Sequence, residues 1–87
     1  ATILVVDDDH QIRELVRIAL RRIGHRVLTA GSGHEALGRA RSDRPDLILL
    51  DLVMPEMSGQ QVLEQLRADP ALRGIPVVLT TGELEGR

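Results

Sequence analysis

Short apolar runs alternate along the chain with segments whose apolar residues recur at helical spacing. Thr2–Val6 is rich in β-branched residues and stops at Asp7-Asp8-Asp9, which predicts a first strand. Ile12, Leu15, Val16, Ala19 and Ile23 then predict an amphipathic helix over roughly residues 10–23. Asp9 suits its N-cap and Gly24 the position just past its end. Arg26–Ala30 reads as a second strand. Ser32-Gly-His-Glu35 has the form of a capping box, opening a helix with Ala36, Leu37 and Ala40 inward and Pro45 beyond it. Leu47–Leu50 is a wholly apolar third strand ending at Asp51. After a loop with Pro55 and Gly59, Ser58-Gly-Gln-Gln61 forms a second capping box. The helix it opens turns Val62, Leu63 and Leu66 inward and ends at Asp69-Pro70. Val77–Leu79, before Thr80-Thr81, is a fourth strand.

Strand–helix alternation of this kind predicts an α/β fold, and strands apolar on both faces fit a doubly wound parallel sheet. With 87 residues the chain holds one small domain. The fourth strand is as apolar as an interior strand, yet few residues follow it. The expectation is that further chain or a second molecule covers that edge.

Composition narrows the function. A net charge of −2 argues against direct nucleic-acid binding. The chain has no Phe, Tyr or Trp, which removes aromatic platforms for single-stranded nucleic acid. It has no Cys, which excludes disulfides, thiolate metal sites and a cysteine nucleophile and fits a reducing, cytoplasmic setting. No apolar stretch has the length of a membrane span, so no membrane role is expected.

The chemistry gathers at strand ends. In open parallel sheets, ligands sit beyond the carboxyl ends of the strands where strand order reverses. Here those ends carry Asp7 and Asp8, then Asp51, then Thr80 and Thr81. If the first and third strands are neighbours, three carboxylates converge and repel. A hard divalent cation relieves that repulsion, and oxygen ligands suit Mg2+. A carboxylate beside it can attack phosphorus, with a hydroxyl to hold the phosphoryl oxygens. Against this, an Asp run after a strand is often only a loop and helix cap, and a lone Asp after a strand only a turn residue.

Taken together, Ile3-Leu-Val-Val-Asp-Asp-Asp9, Asp46-Leu-Ile-Leu-Leu-Asp-Leu-Val-Met-Pro55 with Met57-Ser-Gly59, and Ile75-Pro-Val-Val-Leu-Thr-Thr-Gly82 resemble the receiver domain of bacterial two-component response regulators. The likeness covers essentially residues 1–87, and the separations of 43 positions from Asp8 to Asp51 and 30 from Asp51 to Thr81 are close to that family's. It implies a flavodoxin-like sheet of order 2-1-3-4 whose fifth strand and last helix are missing from this sequence. It implies Asp51 as phosphoacceptor and Mg2+ held by Asp8, Asp51 and the Val53 carbonyl, with Asp7 acting through water. Thr81 becomes the phosphoryl-sensing hydroxyl, and Gly82 keeps access to the acyl phosphate. A sensor histidine kinase or phosphotransfer protein is the implied partner, and self-association through the uncovered fourth strand is a further one. The module accepts a phosphoryl group and switches; it does not turn over a separate substrate as an enzyme does.

The sequence also departs from that family. The family's fifth-strand Lys has no counterpart, since the chain contains no Lys. A second reading is therefore a truncated receiver acting through protein contacts alone. Two enzyme or cofactor folds fit less well. A haloacid-dehalogenase-type phosphatase wants Asp-x-Asp-x-Thr after its first strand, and Asp7-Asp-Asp-His-Gln11 lacks it. A flavodoxin-type FMN site wants hydroxyls where this chain has three carboxylates. His10, His25 and His34 share no metal-ligand spacing and read as surface residues. Arg17, Arg21, Arg22 and Arg26 read as a solvated basic face.

Overall fold

The computed structural model describes residues 1–80. In chain order the elements are β1 (Thr2–Val6), α1 (His10–Arg22), β2 (Arg26–Ala30), α2 (Gly33–Asp43), β3 (Leu47–Asp51), α3 (Gly59–Ala68) and β4 (Val77–Thr80). The strands form one parallel sheet of order β2-β1-β3-β4. Val6 lies between Ala30 and Leu50, and Asp51 stands beside Thr80.

This order explains where the helices go. The chain leaves β1 toward one edge through α1, then crosses back over β1 through α2 and continues the same way through α3. Right-handed crossovers in opposite directions put α1 on one face and α2 and α3 on the other. The core lies on the second face. Leu4, Val6, Ala30, Ile48 and Leu50 pack there with Ala36, Leu37 and Ala40 of α2 and Val62 and Leu66 of α3. Alternation along β1 turns Ile3 and Val5, also buried, toward α1.

The amphipathic helix α1 forms, but its apolar stripe is only partly covered. The helix has no buried residue; Leu15 is 68% exposed and Ile23 70% exposed. The helix packs on β1 and β2, so only part of its apolar stripe meets the sheet. On the far edge, Val78 and Leu79 of β4 are exposed.

Local sequence sets the helix ends. Asp9 caps α1 by accepting the N–H groups of Gln11 and Ile12 at 2.9 and 3.3 Å. At the other end, Gly24 adopts φ 96°, and the N–H groups of Gly24 and His25 donate to the carbonyls of Arg21 and Leu20. That is a Schellman motif, and it needs the positive φ that glycine supplies. The Ser58–Gln61 capping box on α3 is complete. The Ser32–Glu35 box is not. Ser32 Oγ accepts from Glu35 N–H, but the Glu35 carboxylate reaches back to Gly31 N–H at 2.8 Å. It ties down the turn leaving β2 instead of the cap residue.

Candidate functional site

The reversal of strand order falls between β1 and β3, and their carboxyl ends open into one crevice. Asp7 follows β1 directly, and its N–H continues the ladder to the Ala30 carbonyl at 3.1 Å. Asp51 closes β3, and the next N–H, that of Leu52, donates to the Thr80 carbonyl at 2.9 Å. One carboxylate oxygen from each of Asp7, Asp8 and Asp51 falls within a cluster 4.8 Å across. Asp9, third of the acidic run, is spent on capping α1.

Each carboxylate is aimed by the chain around it. Asp7 Oδ1 accepts Asp9 N–H at 2.9 Å, and Asp51 Oδ1 accepts Val53 N–H at 3.1 Å. Both are side-chain turns that bend the backbone away from its strand. Asp51 is only 5% exposed, whereas Asp8 is exposed and Asp7 half-buried. Burial pushes the Asp7 carboxyl above its usual range, against the Asp9 hydrogen bond, and the charges of Asp51, Asp8 and Asp9 push it further the same way. Three oxygen donors with mutually opposed charges, at the mouth of a crevice open to water, form a donor set that fits Mg2+.

The loop after Asp51 is built tightly. Val53 is 62% exposed, while Met54 is buried in the core and anchors the loop. Glu56 adopts φ 69° as Met57 N–H donates back to the Pro55 carbonyl at 2.7 Å. This is a γ-turn of the rare positive-φ kind. Gly59 N–H then returns to the Leu52 carbonyl at 3.0 Å.

The structure brings Asp7, Asp8 and Asp51 together and places Val53 beside them through its bond to Asp51. Thr81 and Gly82 lie outside the described residues. Sequence reasoning passed over Arg13 and Gly31. Arg13 Nη1 donates to the Asp7 carbonyl at 2.8 Å, and its guanidinium lies against Gly31. A signal was present: long side chains on a helix lean toward its N-terminus, so an Arg in the first turn after an acidic loop reaches back over that loop.

Comparison with known proteins adds the family-level finding. The family model of the response regulator receiver domain matches residues 3–86. The probable transcriptional regulatory protein TcrX of Mycobacterium tuberculosis is 45% identical over 82 residues, covering 94% of this chain and 34% of that protein. The chain thus spans about a third of the length of that relative. Among solved structures, the N-terminal domain of a response regulator receiver protein from Methanoculleus marisnigri JR1 superposes with a TM-score of 0.88 at 46% identity, covering 90% of this chain and 63% of that one. The response regulator TrrA from Thermotoga maritima, solved in complex with Mg2+-BeF, gives 0.85 at 37% identity, covering 99% and 73%.

Proposed function

The chain belongs to the family of response regulator receiver domains, and from that premise we propose that residues 1–87 form a phosphoacceptor module that takes a phosphoryl group onto Asp51 and passes its changed state to an output. The observation that carries this reading is the convergence of Asp7, Asp8 and Asp51 at the reversal of strand order.

Asp8, Asp51 and the Val53 carbonyl would hold Mg2+, with Asp7 assisting through water. Bound there, the ion would supply charge neutralisation for the transferring phosphoryl oxygens. An Asp51 carboxylate oxygen attacks phosphorus, forming the acyl phosphate as the bond to the donor breaks and its electron pair leaves with the donor. The donor is a phosphohistidine on a sensor kinase or a phosphotransfer protein, whose imidazole leaves. The Val53 N–H bond to Asp51 Oδ1 fixes the carboxylate for that attack. Thr81 supplies the hydroxyl that meets the phosphoryl group; its neighbour Thr80 stands in register with Asp51. The phosphoryl group stays on the chain as a signal, so the module acts as a switch rather than a turnover enzyme. No helix among the described residues is long and apolar enough to cross a membrane, and the proposed setting is the cytoplasm. Self-association through β4 is a further proposed contact, supported by exposed Val78 and Leu79.

The test is transfer from a phosphorylated histidine kinase or a small-molecule phosphodonor with and without Mg2+. Wild type takes label only with Mg2+, and Asp51→Asn takes none. Equal labelling of that variant would refute the assignment.

A further inference from the structure

Arg13 belongs to the first turn of α1, yet its side chain does not run out into water. It is half-buried, with Nη1 donating to the Asp7 carbonyl at 2.8 Å and Nη2 at 3.2 Å from His10 Nδ1. The Asp7 carbonyl is part of the peptide unit that carries the Asp8 amide. Holding it therefore sets the direction in which Asp8 leaves the backbone. The Asp7 N–H is already fixed to the Ala30 carbonyl, so the Arg13 bond immobilises the second side of the same residue.

Room for the guanidinium comes from Gly31. A Cβ at that position would stand 2.9 Å from Arg13 Nη1 and 3.4 Å from Cζ. The turn carrying Gly31 cannot retreat freely, because its N–H is bound to Glu35 Oε1 at 2.8 Å. Three segments thus meet at one side chain: the acid loop, α1, and the turn into α2.

We infer that Arg13 is a positioning residue for the carboxylates Asp7 and Asp8, and that Gly31 is the notch admitting it. This rests on the reading of the acid cluster as a Mg2+ site. Groups that orient metal ligands without touching the metal affect affinity by roughly 10–100-fold.

The experiment is a calorimetric Mg2+ titration of the full chain, paired with its unfolding midpoint. The proteins compared are wild type, Asp8→Asn, Arg13→Ala, Arg13→Lys, Gly31→Ala and the Arg13→Ala/Gly31→Ala double variant. Arg13→Ala should weaken Mg2+ binding about tenfold or more. Arg13→Lys, which keeps a donor for the Asp7 carbonyl, should recover most of the loss. Gly31→Ala should weaken binding with the Arg side chain still present, so the test survives even if Arg13→Ala fails to fold. The double variant should be no worse than Arg13→Ala, since the two changes remove one contact. Wild-type affinity in Arg13→Ala, with binding lost in Asp8→Asn, overturns this inference alone. So does a lowered unfolding midpoint without a change in affinity. A wild-type chain that binds no Mg2+ overturns the metal-site reading and this inference with it.

Discussion

Gly59 stands against the backbone of Asp51: a Cβ on residue 59 would collide with the Asp51 carbonyl oxygen and lie 2.7 Å from Leu52 Cα. The obstacle is backbone at the end of a central strand and cannot swing aside. Gly59→Ala should therefore destabilise the fold by about 1–3 kcal/mol, as overpacking does. It should also slow phosphoryl transfer, because the clash bears directly on the backbone that carries Asp51. Denaturant unfolding and labelling rate measured on the same variant check both effects.

Asp7 gives the fold a pH dependence with a defined sign. Its carboxyl titrates above the usual range, so the folded state holds that proton more tightly than the unfolded state does. Its contribution to stability is therefore full below the ordinary carboxylate pKa and is lost as pH rises through the raised one. Asp7→Asn can still accept the Asp9 N–H. At neutral pH without metal it should be more stable than wild type, and the difference should vanish in acid. Added Mg2+ should narrow the gap at neutral pH by binding the folded wild type. Thermal unfolding across pH, with and without Mg2+, measures all three.

The members of the acidic run differ in role. Asp8 offers a carboxylate oxygen to the cluster, and Asp9 caps α1. Asp9→Ser retains a capping oxygen and should keep both stability and Mg2+ affinity. Asp9→Ala should cost about 1 kcal/mol of stability. Asp8→Asn should keep the stability and lose the Mg2+. Calorimetric titration beside denaturant unfolding separates these outcomes.

Arg44 ends α2 in the left-handed region, at φ 46° and ψ 68°. A side chain there carries a steric cost that glycine avoids. Arg44→Gly should raise stability by about 0.5–1 kcal/mol. Asp51 labelling should be unchanged, because residue 44 lies at the far end of β3 from the crevice.

The strands were legible because a parallel sheet covered on both faces writes itself as unbroken apolar runs, as in Leu47–Leu50. The acid cluster was legible because β-strand ends and Asp residues coincided at residues 7, 8 and 51. What could not be read depended on tertiary neighbours. Leu15 and Ile23 have the spacing of an inward face, but spacing does not say how much sheet lies beneath a helix. Glu35 has the right distance from Ser32 for a capping box, yet Gly31 N–H takes its carboxylate. Arg13 and Gly31 are eighteen positions apart, and nothing in either segment announces the other.

The central claim is that Asp51 receives the phosphoryl group. Borohydride reduces an aspartyl phosphate to homoserine and so marks its position in the chain. Wild-type protein incubated with Mg2+ and a small-molecule phosphodonor, reduced and analysed by peptide mass spectrometry, should carry homoserine at position 51 alone. Homoserine at position 7 or 8, or none at position 51 under those conditions, would contradict the account.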